Sequence, residues 1–168
     1  MSASVSPAGS GGNESKGFGP LVVRAARAED HDQWRVLFHG QADFCRTTLG
    51  PEQTDRVWSW INDPTHEVSA LVVEEPEGRL VGLAHYRPFA RPLSATMGGY
   101  LDDLFVAADA RGNGVAALLL AGLAEIARER GWSVVRWAAA DDNYRARSVY
   151  DKLAYRTILV TYDMPPAD

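Results

Sequence analysis

A glycine-rich loop between a strand-like segment and a helical segment is the feature of this sequence with the clearest chemical meaning. The loop occupies residues 111–116 (RGNGVA). It follows the apolar and acidic segment 100–106 (YLDDLFV) and precedes a helical segment that reaches Arg130. In the order strand, loop, helix, backbone N–H groups and the positive end of the helix dipole point at one place. Because that place attracts anions, the loop predicts a phosphate-binding site.

Two other phosphate motifs fit this loop less well. Residues 112–117 satisfy the loose dinucleotide pattern G-x-G-x-x-A. However, four residues separate Val106 from Arg111, and residues 132–138 hold no acid for a ribose. A Walker loop would need Gly-Lys-Ser/Thr after its glycines, and the loop lacks it. The simplest alternative is that Gly112 and Gly114 only turn the chain into the helix.

Composition indicates one domain of ordinary size. The chain has 168 residues, of which 46% are hydrophobic, and this is enough to bury a core. The net charge of −5 makes a general nucleic-acid partner unexpected, since neutralising phosphates needs a basic face. No segment approaches the roughly 18 apolar residues of a membrane span, so we expect no membrane partner. A single cysteine, Cys45, excludes an internal disulfide and favours the cytoplasm.

Residues 1–20 differ in composition from the rest of the chain. They are mostly Ser, Gly, Ala and Pro, without an apolar periodicity. We interpret them as a disordered tail or a remnant of cloning, and not as a secretory signal, because they lack an apolar stretch. Residues 21–168 are then the single folded domain.

Apolar periodicity and turn residues predict the element order β-α-α-β-β-β-α-β-α-β. This is an α/β (α+β) fold whose mixed central sheet is flanked by about four helices. The predicted strands are 21–25, 68–74, 79–86, 99–106, 133–139 and 156–162. The predicted helices begin near 29–30, at 51, at 112 and at 142–143, and the last three end near 62, 130 and 153. Residues 75–78 form a hairpin turn, and 87–98, with two prolines, are predicted to be irregular.

Three segments together resemble the GNAT superfamily of N-acetyltransferases. Residues 111–116 are similar to its pyrophosphate loop, Q/R-x-x-G-x-G/A. Residues 143–153 resemble the motif N-x-x-A…L-Y-x-K-L on the following helix. Residues 81–86 and 100–106 resemble strands of the diamine and polyamine acetyltransferases and of a fungal histone and polyamine acetyltransferase-like group. The resemblance covers residues 21–163 and implies the GNAT fold.

The resemblance also implies a co-substrate, acetyl-CoA, and a homodimer. It places the pantetheine arm along the backbone of one strand, the pyrophosphate in the glycine loop, and the far side of the cofactor on the last helix. The corresponding residues are Leu104, Phe105 and Val106; Arg111, Gly112, Asn113, Gly114, Val115, Ala116 and Ala117; and Asn143 and Ala146.

Asp102 falls where the diamine enzymes carry a glutamate assigned as the base. An alkyl ammonium, with a pKa of about 10.4, must lose a proton before it attacks a thioester. A carboxylate can hold the ammonium and accept the proton through a water. Asp102 and its neighbour Asp103 face opposite ways on a regular strand, and a bulge would bring both to the cleft. We favour Asp102 as the base, with Asp103 as an alternative that otherwise pairs with a structural arginine.

Tyr150 is the expected general acid. The resemblance puts its phenol beside the cofactor sulfur, where it could protonate the departing thiolate. That transfer is uphill by about 1.5 pKa units, roughly 2 kcal/mol, so the phenol would assist without being indispensable. The alternative is that Tyr150 is only a core aromatic of an amphipathic helix.

The remaining candidates carry weaker signals. His85 could be another base but is better explained as a structural histidine with its hydrogen bonds satisfied. His31, His39, His66 and Cys45 show no metal-ligand spacing, and we expect no metal. Cys45 is expected to be a small core residue, and Trp34 a core residue. Among the other tryptophans, Trp137 is expected to contact the acceptor, and one of Trp58 and Trp60 could line the cleft.

The sequence predicts an enzyme that transfers an acetyl group directly to a primary amine of a small molecule. Arg87 and Arg91 lie where the diamine enzymes have aromatic and acidic residues, and two cations would repel a polyamine and favour a carboxylate. A polyamine, an amino acid, an aminoglycoside and a peptide terminus all remain open as acceptors, as does a longer acyl donor. The alternative class is a regulatory module that binds acyl-CoA without catalysis.

Overall fold

The computed structural model describes residues 19–167 and places a five-stranded sheet between two layers of helices. The interpretation of residues 1–20 falls almost entirely outside the described residues. The strands are β1 (Val22–Ala25), β2 (Ser69–Glu74), β3 (Leu80–Arg91), β4 (Thr96–Val106) and β5 (Val135–Trp137). The helices are α1 (His31–Phe44), α2 (Pro51–Asn62), α3 (Val115–Glu129) and α4 (Tyr144–Leu153).

The sheet is mixed and mostly antiparallel, as the sequence predicts. The strands lie in their chain order, β1-β2-β3-β4-β5. The first three neighbouring pairs are antiparallel and the pair β4–β5 is parallel. This parallel pair follows from the connection through α3, because a helix returns the chain to the end of the sheet where β4 began. The predicted fold class is confirmed.

Each face of the sheet buries its own core. On β2, Leu71 and Val73 point to the layer of α3, where they join Leu119 and Leu123. The alternate residues of the same strand point to the opposite layer and pack with α1 around Trp34, which is fully buried. This alternation is the two-residue period of a strand with both faces covered. Because both faces are covered, β2 is a continuous apolar run from Ala70 to Val73 and not an alternation of apolar and polar residues.

The segment 87–98 is a correction, because it is a hairpin and not irregular. β3 runs on to Arg91, a tight connection follows, and β4 begins at Thr96. Pro88 is paired in register with Gly99 of β4. The pairing of β3 with β2 ends at Tyr86, so Pro88 lies where β3 has a single neighbour. A proline is tolerated there because its missing N–H can face the unpaired side.

The predicted sixth strand, 156–162, is wrong for the described residues. After α4 ends at Leu153 the chain has no further helix or strand up to residue 167. Ile158 is 99% exposed, and Leu159 and Val160 are also largely exposed. A strand needs a hydrogen-bonding neighbour, and apolar composition alone does not supply one.

Within residues 19–167 no helix combines the length and apolar character needed to cross a bilayer.

A close contact at Gly82 fixes the distance of α3 from the sheet. A Cβ atom at this position of β3 would lie 2.5 Å from Cγ1 of Val115, the first residue of α3. Val115 is 1% exposed and therefore has little room to move. The glycine lets the beginning of α3 approach β3, and so it also positions the loop that precedes the helix.

We therefore expect Gly82→Ala to destabilise the fold by about 1–3 kcal/mol, the usual cost of overpacking a tight core. Urea unfolding followed by circular dichroism measures this change. Ala90→Ser, at an exposed position of the same strand, is the matched control and should stay within about 0.5 kcal/mol of the parent. An unchanged midpoint for Gly82→Ala would contradict the close contact.

Candidate functional site

The site begins where β4 and β5 separate. The two strands are paired over only three positions, from Gly99 with Val135 to Leu101 with Trp137. β4 continues for five more residues, 102–106, and is paired there with β3 on one side. On the side of β5, this part of β4 has no strand neighbour among the described residues. The sheet therefore opens into a cleft bordered by a stretch of β4 that has no strand neighbour on this side.

A cavity of about 240 Å³ occupies this opening. It is lined by the middle of β4, the end of β5 with the loop after it, the C-terminal end of α1, and α4 with its cap. The residues that line it are Gln41, Phe44, Cys45, Leu101, Asp102, Asp103, Leu104, Trp137, Ala138, Ala139, Ala140, Asn143 and Tyr150. Both predicted carboxylates and the predicted general acid thus meet around one space.

A β-bulge explains how two successive acids reach the same cavity. In the β3–β4 register His85 is opposite Asp103, but Tyr86 is opposite Leu101. Asp102 is therefore the extra residue of the bulge, and the strict alternation of side chains is interrupted at this point. A bulge is the condition under which two successive acids reach the same cleft, and the register of β3 with β4 meets this condition.

Asp102 forms an ion pair with Arg87 of β3. The Arg87 Nε lies 3.2 Å from one carboxylate oxygen of Asp102 and 3.3 Å from the other. Burial raises the pKa of the Asp102 carboxyl, the Arg87 guanidinium opposes this shift, and the negative charge of Asp103 adds to it. The net result is a raised pKa, which makes Asp102 a better base than an aspartate in free solution.

Asp103 has a different partner from the arginine that the sequence suggested. Its Oδ2 lies 2.9 Å from Nδ1 of His85, and the other ring nitrogen of this histidine accepts the indole N–H of Trp34 at 2.9 Å. His85 is 2% exposed and has both nitrogens engaged. The reading of His85 as a structural histidine with satisfied hydrogen bonds thus agrees with its environment.

Tyr150 faces the cavity from α4. Its ring meets the ring of Trp137 edge to face, with 5.3 Å between centroids. Burial raises the pKa of the Tyr150 phenol, so the hydroxyl keeps its proton throughout the neutral range. Asn143 begins this helix, since its side-chain oxygen accepts the N–H of Ala146 at 3.2 Å. The cap fixes the direction in which α4 presents Tyr150.

The glycine loop has the geometry of an anion site. Gly112 and Gly114 adopt φ angles of +90° and +81°, which side chains disfavour. The first backbone bond of α3 runs from Leu118 N–H to the Gly114 carbonyl, at 3.0 Å. The N–H groups of Val115, Ala116 and Ala117 precede that bond and are free of the helical ladder. Because Gly114, the N-cap, has no side chain, it cannot cap them itself.

Arg111 ties the loop to the cleft. Its Nε donates to the carbonyl of Val106 at 3.1 Å, which joins the loop to the end of β4. Its guanidinium lies over the rings of Phe105 and Phe44, 5.7 and 5.8 Å from their centroids. Phe44 also lines the cavity, so the phosphate loop and the cavity share one wall.

Other sequence expectations have mixed outcomes. Trp137 lines the cavity, whereas Trp58 packs on Trp34 and Trp60 stacks on His66, so neither of these two is a lining residue. Cys45 is exposed at the cavity rim, and its prediction as a core residue is wrong, because α1 ends one residue earlier. The end of α1 forms a wall of the cavity that was not predicted, although Phe44 and Cys45 continue the apolar spacing of that helix.

Within the described part of the chain, no group of three or more His, Cys, Asp or Glu side chains is placed to hold a metal ion. The chemistry that the cavity can perform on its own is proton transfer. It combines a carboxylate of raised pKa, a second carboxylate bonded to a histidine, and a protonated phenol.

Comparison with known proteins agrees with this geometry. Residues 33–155 match the acetyltransferase (GNAT) family. The D-amino-acid N-acetyltransferase HPA3 of Saccharomyces cerevisiae is 31% identical over 143 residues, which are 84% of this chain and 89% of the yeast protein. The thialysine N-epsilon-acetyltransferase of Caenorhabditis elegans is 34% identical over 96 residues, 56% of each protein. A crystal structure of a probable acetyltransferase has a TM-score of 0.78 at 26% identity and covers 88% of this chain and 99% of its own.

The fold and the site thus define an N-acetyltransferase. The chain belongs to the acetyltransferase (GNAT) family. Enzymes of this family use acetyl-CoA, and two features of the chain fit that molecule. The free N–H groups before Leu118 suit a pyrophosphate, and the unpaired edge of β4 suits an extended arm with amide groups.

We expect Gly114→Ala to weaken CoA binding about five- to thirtyfold. An added Cβ would meet no atom within 4 Å, so no clash contributes. The left-handed region costs an L-residue about 1–2 kcal/mol, so the free loop relaxes out of it and CoA binding must restore it. Gly131→Ala is the matched control, since Gly131 also has a positive φ and open space but lies at the other end of α3. Calorimetry with CoA should show the loss for Gly114→Ala alone. An equal loss in both variants would indicate general destabilisation of α3.

Proposed function

We propose that this enzyme transfers an acetyl group from acetyl-CoA directly to a primary amine of a small molecule. The observation that carries the proposal is the shared cavity, in which Asp102, Asp103 and Tyr150 surround the opening between β4 and β5. The cavity contains the proton acceptor and the proton donor that the reaction needs, so no acyl-enzyme has to be formed.

In this proposal the cofactor lies along β4 and ends at the loop. Backbone groups of residues 104–106 pair with the pantetheine arm, and residues 111–117 hold the pyrophosphate. Asn143 and Ala146 border the far side of the cofactor. The free edge of β4, the two left-handed glycines and the contact of Arg111 with Val106 support this placement.

Asp102 acts as the base. The ammonium of the acceptor gives its proton to the Asp102 carboxylate, directly or through one water, and the freed nitrogen attacks the thioester carbon. A water is the better route, because aspartate is one methylene shorter than the glutamate of the diamine enzymes. The raised pKa of Asp102 supports the assignment, since it narrows the gap between the carboxylate and the ammonium.

Tyr150 completes the proton balance. The C–N bond forms first, and the C–S bond breaks as the tetrahedral intermediate collapses. The thiolate of CoA takes the phenolic proton of Tyr150, and the second proton that the nitrogen loses returns to the phenolate through water. The raised pKa of the phenol makes this transfer more uphill than for an exposed tyrosine. Tyr150 therefore lowers the barrier modestly, and a water could replace it in part.

We propose an amino acid as the acceptor. Arg87 lies next to Asp102, so a cation and two carboxylates stand close together at the cleft. A molecule with one ammonium and one carboxylate complements this arrangement, because its carboxylate can lie against the Arg87 guanidinium while its ammonium lies against the acids. The two named relatives also support this class, because D-amino acids and thialysine each carry both groups.

The first experiment is a thiol-release assay with acetyl-CoA and matched acceptors. Lysine, as both enantiomers, is compared with cadaverine, which is lysine without its carboxylate; thialysine, spermidine, an aminoglycoside and a histone-tail peptide complete the panel. We expect turnover with the amino acids and at least tenfold lower kcat/KM with cadaverine.

Asp102→Asn should lower kcat by about 10²–10⁴-fold while CoA binding is kept. Clear CoA binding without turnover on any acceptor would favour a regulatory module instead.

Tyr150→Phe should lower kcat by about ten- to a hundredfold and change the Kd of CoA by less than threefold. The ring and its contact with Trp137 are kept, and only the proton donor is lost. Steady-state kinetics with the best acceptor and calorimetry with CoA give the two numbers. A kcat equal to that of the parent would remove Tyr150 from the mechanism.

Arg87→Gln should move the acidic limb of the pH profile of kcat/KM to higher pH. The Arg87 cation stabilises the Asp102 carboxylate and lowers its pKa, so its loss raises the pKa at which the base becomes protonated. Arg87→Lys keeps a positive charge and should keep the limb near its original position. A limb that stays in place in the glutamine variant would argue against Asp102 as the base.

We also propose a homodimer in which the C-terminal segment contributes to the interface. Residues 154–167 have no helix or strand, and their large apolar side chains are exposed. Sedimentation of the full chain should give the mass of a dimer, and a chain that ends at Leu153 should give a monomer. A monomeric full chain would contradict the proposal.

A further inference from the structure

A hydrogen-bonded chain of three side chains runs from the core to the acceptor cavity. Trp34 of α1 is fully buried, His85 of β3 is 2% exposed, and the Asp103 side chain is 32% exposed and lines the cavity. The two links, Trp34 Nε1 to His85 Nε2 and His85 Nδ1 to Asp103 Oδ2, are both 2.9 Å long. The chain of bonds therefore connects a rigid part of the protein with a carboxylate at the site.

The direction of every bond in this chain follows from Trp34. An indole N–H can only donate, so Nε2 of His85 must accept and carries no proton. The proton of the neutral ring is then on Nδ1, which donates to Asp103. A doubly protonated ring would place its Nε2–H against the indole N–H. His85 is thus a fixed donor, and it has no free lone pair with which to act as a base.

The surroundings hold the ring in one orientation. Phe38 meets the imidazole edge to face at 5.0 Å, and Trp34 is itself stacked on Phe38 and packed on Trp58. Aromatic rings on these sides leave little freedom for the imidazole.

The negative charges of the two neighbouring aspartates are consequently compensated to different degrees by their partners. Asp102 is paired with the Arg87 cation, and this pair is neutral as a unit. Asp103 is bonded to an uncharged ring and keeps its full negative charge. One uncompensated negative charge therefore faces the cavity, and a single ammonium group would balance it.

We propose that Asp103 is the ammonium anchor of the acceptor site and that His85, held in its Nδ1–H form by Trp34, is the residue that positions this anchor. The inference rests on the proposed function in taking an amine as the acceptor. It assigns separate tasks to the neighbouring acids: Asp103 binds the ammonium, and Asp102 removes its proton. His85 acts through Asp103 and does not contact the reacting atoms.

The test measures amine binding without turnover. Calorimetry with lysine and cadaverine is carried out in the presence of CoA, which cannot donate an acetyl group. His85→Leu removes the donor and should weaken binding of both amines about tenfold, while the Kd of CoA stays within threefold. His85→Gln offers one acceptor and one donor and should restore binding to within about threefold of the parent. Asp103→Asn should weaken amine binding at least as much as His85→Leu.

Three outcomes of these titrations would overturn the inference. The first is unchanged amine binding in His85→Leu. The second is a glutamine variant no better than leucine, since this indicates a purely structural role. Failure of the wild type to bind either amine would also overturn it. Binding without acetyl transfer from acetyl-CoA would instead count against the proposed function and leave the anchor in place.

A spectroscopic measurement on the wild type covers the case in which His85→Leu does not fold. Nitrogen-15 shifts of the His85 ring should show a protonated Nδ1 and an unprotonated Nε2 at pH 7.5. In Trp34→Phe, which keeps the ring stacking but removes the indole donor, the Nε2 resonance should move, because that nitrogen no longer accepts a hydrogen bond. A wild-type ring protonated on Nε2 would contradict the chain of hydrogen bonds.

Discussion

The separation of β4 from β5 is the constraint on which the rest of the site depends. The backbone N–H and C=O groups of an inner strand are normally hydrogen-bonded to the neighbouring strands on both sides. Here the parallel pairing stops after three positions, and among the described residues the last five residues of β4 have no strand neighbour on the side of β5. The same gap makes room for the cavity and brings α4 and the end of α1 to its walls. Backbone recognition and side-chain chemistry therefore share one opening.

Electrostatic asymmetry within the opening follows from the register of β3. Arg87 and His85 are two residues apart on this strand and point to the same side. They meet successive residues of β4 because the bulge adds Asp102 opposite them. A regular strand would have turned one acid away from the cavity. Because of the bulge, the two neighbouring aspartates have different partners. Asp102 pairs with the Arg87 cation, and Asp103 accepts a hydrogen bond from the neutral His85 ring.

Much of the fold was predictable because it depends on local signals. Apolar periodicity and turn residues located nine elements in order, and the glycine loop and the cap at Asn143 were recognisable from short motifs. The partners of the acids were not predictable, since Arg87 and His85 are distant in sequence from Asp102 and Asp103 and their contacts depend on the bulge register. The extension of β3 through Pro88 was missed for a similar reason. A proline is read as a break unless it is known that the strand has only one neighbour there.

Cys45 is the single thiol of the chain, and its exposed position at the cavity rim has a practical consequence. Reagents that detect free CoA by its sulfhydryl will also modify this residue, one equivalent per protomer. The signal from Cys45 saturates, whereas product continues to accumulate, so the two are separable in time. A maleimide dye attached there would sit beside the mouth of the cavity, and occupation of the site would change its fluorescence without any engineered cysteine.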